Sequence, residues 1–103
     1  MKYKLTDQKI RISGITLYRI EALKDFSDVK CGDFGGYIES EKNLDHNGDC
    51  WVYSKAMVYN EALVCKNAKV KDFASVFDMA IVTDSAQIDK NAKIFGRSIM
   101  FED

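Results

Sequence analysis

The sequence predicts an all-β fold: a solenoid of short parallel strands entered through a β-hairpin. Three observations predict it. A small residue recurs at every sixth position, at Cys50, Ala56, Ala62, Ala68, Ala74, Ala80, Ala86, Ala92 and Ser98. Two places after each stands a branched aliphatic residue, at Val52, Val58, Val64, Val70, Val76, Val82, Ile88 and Ile94, with Met100 continuing the series. Residues suited to tight bends (Asn60, Asp72, Asp78, Asp84 and Gly96) fall between the pairs. A period of six matches neither the 3.6-residue helix nor the two-residue alternation of an ordinary strand, and repeats of this kind mean stacked coils.

The N-terminal stretch "KIRISGITLYRI" sets Ile10 and Ile12 against Ile15 and Leu17 across Ser13-Gly14, which reads as a two-residue hairpin. "YKL" before it is a candidate third strand. "EALKDFSDVK", residues 21–30, is compatible with one helical turn or a loop. A hairpin at this end would protect open strand edges of the solenoid. "CGDFGGY", residues 31–37, reads as a tight bend into the first coil. Its Asp33-Phe34-Gly35 triplet matches a kinase motif only in letters, because the glycine-rich and catalytic loops are missing. Its glycines lack the phosphate-cradling spacing. Residues 34–51 form an irregular first coil, with Phe34 and Ile38, Ser40 and Leu44, and His46 and Cys50 in the repeat slots. The expected division is residues 1–33 as hairpin and linker, and 34–103 as solenoid, regular from 50.

From residue 50 onward the chain resembles the hexapeptide-repeat family of left-handed parallel β-helices, in which an aliphatic residue is followed four places later by a small one. The resemblance implies a triangular prism with three hexads per coil and left-handed crossovers, against the usual right-handed rule. Each strand then points its aliphatic residue inward, stacked on its equivalent one coil away. The small residue also points inward, near the axis, where only Ala, Ser or Cys fits. The stretch from Ile15 to Tyr53 is similar to the opening of small bacterial and phage hexapeptide-repeat proteins, mostly without assigned activity, in which a Gly-Gly-aromatic-Ile-Glu run leads into the coils. That similarity implies a bacterial or phage accessory protein and brings no catalytic residues.

In the prism, residues flanking each inward aliphatic point outward, and every third strand shares a wall. One wall carries Trp51, Tyr53, Lys69, Lys71, Gln87 and Asp89, a mostly polar set. A second carries Met57 and Tyr59, Ser75 and Phe77, Lys93 and Phe95, so that Tyr59, Phe77 and Phe95 form an aromatic column. The third carries Leu63, Ile81 and Ile99 as an aliphatic column, beside Cys65, Thr83 and Phe101. Two apolar outer columns exceed what a soluble monomer normally exposes. Either the hairpin folds over one of them, or each meets a partner: a second or third copy of the chain, another protein, or both. The expected interface residues are therefore Met57, Tyr59, Phe77, Phe95, Leu63, Ile81 and Ile99.

The enzyme members of the hexapeptide-repeat family are acyltransferases, usually trimers with a histidine base between subunits. Here the sole histidine is His46, in "NLDHNGDCW", with Asp45 and Asp49 as candidate orienting carboxylates. No loop interrupts residues 50–99 to bind an acceptor, and a polar corner is the favoured reading of His46. One histidine also cannot build the three-histidine zinc site of related carbonic anhydrases. Three cysteines without CxxC spacing argue for free thiols in a reducing cytoplasm and against a zinc or disulfide framework. Fifteen basic and 16 acidic residues give no push toward nucleic acid. No apolar run reaches membrane-spanning length. The expectation is a cytoplasmic, non-enzymatic protein-binding or assembly module without cofactor or metal, its possible target a host defence protein; the alternative is an acyltransferase-like enzyme using His46.

If the corners admit only small side chains, replacing Ala68 by Leu overpacks the axis. The expected loss is about 1–3 kcal/mol or more of unfolding free energy, read by chemical denaturation.

Overall fold

The computed structural model describes residues 1–102 and has the solenoid the repeat predicts. Strands β1 (Tyr3–Ile12) and β2 (Ile15–Ala22) form the hairpin, joined by Ser13 and Gly14 at φ 46° and 80°. Ile12 pairs with Ile15 and Ile10 with Leu17, the register a two-residue turn with two left-handed residues imposes. "YKL" is not a separate strand. It belongs to β1, which is interrupted by a bulge between Leu5 and Lys9. Residues 23–30 form no helix; Phe26 and Val29 bridge across a short loop.

Strand β3 (Phe34–Ile38) opens the coils, followed by β4 (Trp51–Val52), β5 (Met57–Val58), β6 (Leu63–Val64), β7 (Lys69–Val70), β8 (Ser75–Val76), β9 (Ile81–Val82), β10 (Gln87–Ile88), β11 (Lys93–Ile94) and β12 (Ile99–Met100). Every third strand pairs in parallel, building walls β4-β7-β10, β3-β5-β8-β11 and β6-β9-β12. Amides bond to carbonyls about one coil on, as in Met57 N–H to Ala74 and Tyr59 N–H to Val76, both at 3.0 Å. Val52, Val58, Val64, Val70, Val76 and Val82 are fully buried, as are Ala56, Ala62, Ala68, Ala74 and Ala80. One residue per hexad is left-handed: Ser54, Asn60, Lys66, Asp72, Asp78, Asp84, Lys90 and Gly96. Three of these, Ser54, Lys66 and Lys90, carry no turn signal. The coil geometry imposes their conformation.

The first coil departs from the expected register. Ile38 and Leu44 are the inward aliphatics, paired with Val58 and Val64, whereas Phe34 is exposed and His46 only half-buried. Leu44 to Val52 is eight residues, not six, so two extra residues within the bend before Trp51 shift everything upstream by two places. The slot before Ile38 is Gly36, opposite Ala56. A Cβ there would lie 2.5 Å from the Ala56 carbonyl oxygen and 2.8 Å from Val52 Cγ1. Gly35 is equally tight, 2.5 Å from the Val52 carbonyl oxygen. The Gly-Gly pair is therefore a close backbone approach over the second coil.

The hairpin does not fold over an apolar wall. Strand β2 pairs antiparallel with β3, making one six-stranded sheet in the order β1-β2-β3-β5-β8-β11. It thus seals the N-terminal edge of the second wall. The other two edges are closed by side chains. Asn43, fully buried in a 3-10 turn, donates to the Asn60 and Ala62 carbonyls at 3.1 and 2.8 Å, and accepts from the Glu39 and Ser40 amides. Lys2, also buried, donates through Nζ to the Cys50 carbonyl at 2.7 Å and the Gly48 carbonyl at 3.2 Å. No helix among the described residues is long and apolar enough to cross a membrane.

Asn43→Ala removes four hydrogen bonds and strands buried main-chain groups. We expect a loss of about 2–4 kcal/mol in denaturant unfolding, with the regular coils still folded below the transition.

Candidate docking surfaces

The outer residues are placed by the same register that fixes the core. On the first wall the loop after β2 covers the aromatic head. Phe26 meets Trp51 edge-on at 5.2 Å, Tyr3 meets it at 6.2 Å, and Trp51 is 1% exposed. Asp28 accepts the Tyr53 hydroxyl at 2.6 Å and sits 3.8 Å from Lys69 Nζ, while Lys69 also donates to Ser27. The N-terminal segment thus straps down the polar wall. It covers neither apolar column.

On the second wall Tyr59, Phe77 and Phe95 stack along the solenoid axis, with centroids 5.2 and 5.6 Å apart and planes within 13°. Tyr59 and Phe77 are half-buried by one another, and Phe95 is 55% exposed. Beside this column run Met57, Ser75 and Lys93. Burial raises the Tyr59 phenol above its ordinary range. Two residues missed in the sequence widen the patch: Phe73 and Met79, 60% and 53% exposed, at the bends on either side of β8. Each falls in a bend slot, where the sequence signal is the turn former and an apolar residue carries no signal of its own. On the third wall Leu63 and Ile81 are half-buried and Ile99 is 59% exposed, with Phe101 beside it. Met79 stands at the edge shared by both walls.

His46 lies away from these columns, in the N-terminal plug. Its ring stacks on Tyr3 at 4.1 Å and 8°. Nδ1 accepts the Lys2 main-chain N–H at 3.2 Å, and Nε2 lies 2.6 Å from Glu41 Oε1. The carboxylate beside it is Glu41, not Asp45 or Asp49; Asp45 instead accepts the Asn47 amide. Both ring nitrogens are engaged: with Nδ1 accepting from Lys2, Nε2 is the nitrogen that faces the Glu41 carboxylate. Tyr3 donates to the Leu44 carbonyl at 2.6 Å, and burial holds its phenol far above the usual range. Cys50 is buried against Lys2 Nζ, and desolvation raises its thiol. Cys65 lies 3.3 Å from Thr83 Oγ1, and Cys31 is exposed. The described residues enclose no pocket and hold no cluster of three metal-ligating side chains.

No family model matches the chain. Part of it is similar to the uncharacterized acetyltransferase YdcK of Escherichia coli (strain K12), at 34% identity over 62 residues. The match takes in 52% of this chain and 19% of that protein, so the chain spans about a fifth of the length of the relative it matches. The stacked coils and this similarity both accord with a hexapeptide-repeat β-helix.

The strap over the first wall is pH-dependent. The Tyr53 hydroxyl, then Lys69, hold the Asp28 carboxyl below its ordinary value. A carboxyl depressed on folding stabilises above its unfolded pKa of about 4, and that gain disappears as pH falls through the folded value. Asp28→Asn should therefore lower the melting temperature at pH 7, and its difference from the native chain should shrink as the pH falls below about 4.

Proposed function

We propose that this chain, a hexapeptide-repeat β-helix, is a non-enzymatic protein-docking module whose second and third walls make the contacts. The observation that carries the reading is the apolar surface its own N-terminal segment leaves open. Met57, Tyr59, Phe77 and Phe95, widened by Phe73 and Met79, continue around one edge to Leu63, Ile81 and Ile99. Exposed apolar surface of this continuity marks interaction sites in soluble proteins. The core needs none of it, because the inward slots from Cys50 to Ile88 are already filled and buried: Cys50 and Ala in the small slots, Val and Ile in the aliphatic ones.

Its place is a reducing cytoplasm, in keeping with three free thiols. The similarity to small bacterial and phage proteins extends the reading to capture of a host protein and block of its action.

Acyl transfer is the competing reading, favoured by the partial similarity to an acetyltransferase. It requires His46 as base. Against it stands the plug geometry: freeing Nε2 breaks the contact with Glu41, and protonating Nδ1 turns it against the Lys2 amide.

Two measurements separate the readings. Coenzyme A and acetyl-coenzyme A in large excess should leave the melting temperature unchanged. Ile81→Glu should abolish capture of a stoichiometric protein from bacterial lysate, whereas His46→Ala should retain it. A thermal shift with coenzyme A that disappears in His46→Ala would overturn the docking reading.

A further inference from the structure

We infer that the second wall binds a second copy of the chain, the two walls packing face to face about a two-fold axis parallel to the solenoid axis. The inference rests on the docking reading and names the occupant of one wall.

The wall carries two columns side by side. One is large and aromatic, Tyr59, Phe77 and Phe95; the other is Met57, Ser75 and Lys93. Ser75 points outward yet is only 6% exposed, so it forms the floor of a depression, with Phe73 and Phe77 two residues to either side. A two-fold axis along the solenoid keeps each coil at its own height and reverses the strand direction. The large column of one copy then faces the smaller column of the other. Phe77 enters the depression over the partner's Ser75, Tyr59 meets the partner's Met57, and Phe95 meets the partner's Lys93. The last pair is a cation–π contact, of the kind Lys55 already makes with Phe73 at 5.6 Å within the chain. Such a surface is self-complementary, which an isologous two-fold contact demands.

The third wall has shallower steps. Leu63 and Ile81 stand beside the half-buried Cys65 and Thr83, and Ile99 beside Phe101, so no aromatic ring would face a buried small residue as Phe77 faces Ser75.

The area suits a weak dimer. The hairpin brings the sheet to six strands. Ile38 points inward, so its partner Tyr18 does too; on the outer side Leu17 is already fully buried within the chain, and the half-buried Ile10 is the surface the hairpin adds. Strands of ten, eight, five and three times two residues, at about 3.3 Å per residue and about 4.8 Å between strands, give on the order of 450 Å² per copy and ~900 Å² in all, the size of a small, weak interface.

Sedimentation equilibrium should give about twice the 11.7 kDa chain mass. Phe77→Asp and Ser75→Arg, both outward, should each raise the dimer dissociation constant at least tenfold, with the far-UV circular dichroism of the folded solenoid retained. As a check independent of those variants, chains carrying Ser75→Cys mixed with chains carrying Phe77→Cys should cross-link on oxidation, and neither alone should do so beyond the native chain. A monomeric or trimeric native chain, a dimer indifferent to Phe77→Asp, or absence of the mixed cross-link overturns the inference. If the native chain is monomeric and Phe77→Asp abolishes capture of a protein partner, the wall serves that partner: the docking reading survives and the second copy does not. Conversely, a dimer that binds coenzyme A through His46 sinks the docking reading alone.

Discussion

Three strands per turn close into a prism only if whatever points inward at the bends occupies almost no volume. Ala56, Ala62, Ala68, Ala74 and Ala80 meet that condition at full burial, and the aliphatic residue two places on fills the space the alanine leaves. The two are coupled. A larger residue at the alanine pushes the strands apart, and a smaller one at the valine opens a void, since interiors tolerate neither excess volume nor vacancy. The left-handed residue in each hexad follows from the same closure. The chain must turn sharply over two residues after each inward aliphatic, and a left-handed conformation does so whether the residue is Asp, Ser or Lys. Propensity selects Asn, Asp and Gly at several of these positions, but topology decides at all of them.

A solenoid of parallel strands carries a liability a closed barrel lacks: each wall ends in a strand with one edge unpaired. At the N-terminal end three different devices close three walls. The hairpin continues one sheet, Asn43 mimics two amides and two carbonyls at a second wall, and the Lys2 ammonium caps the carbonyls of a third. These devices are linked, because the main chain of Lys2 bonds His46, His46 stacks on Tyr3, and Tyr3 reaches Leu44 of the first coil. In that setting His46 is a structural spacer, holding the strand entering from residue 2 against the bend after Leu44.

Most of the coil was legible from the sequence because its constraint repeats. Eight hexads sample the same slots, so alanine and valine stand out against chance, and the wall of every outer residue from Trp51 on follows by counting. Legibility ended where repetition did. The two-residue insertion before Trp51 moved Ile38 and Leu44 into the aliphatic slots, and a single irregular coil offers no second copy against which to detect such a slip. Lys2 and Asn43 were unreadable for a different reason. A buried amide or ammonium has no periodic signature; its position depends on which carbonyls a distant part of the chain leaves unpaired. The packing of the loop at Phe26 was unreadable likewise, since it rests on Trp51, 25 residues away. On the surface the two apolar columns could be listed, but not whether the hairpin would cover one, which depends on the antiparallel pairing of β2 with β3.

That pairing also governs how the surface can be used. Had the hairpin folded across a wall, its isoleucines would have hidden one column and left a single sticky face. By extending the sheet edgewise it instead enlarges the wall that already carries the rings, and the loop that follows spends its aromatic residue on the polar wall, against Trp51. Repetition in the core thereby becomes repetition outside. Any outward residue type recurring at eighteen-residue spacing is drawn into a column at sheet spacing, rings in van der Waals register, with little freedom to lose on contact. Tyr59, Phe77 and Phe95 stack on one another from a backbone whose inward side chains the core holds. On the docking reading, a surface so pre-ordered would bind with little further loss of freedom, and the side chains best placed to meet it would be those whose spacing along the partner matches the coil repeat.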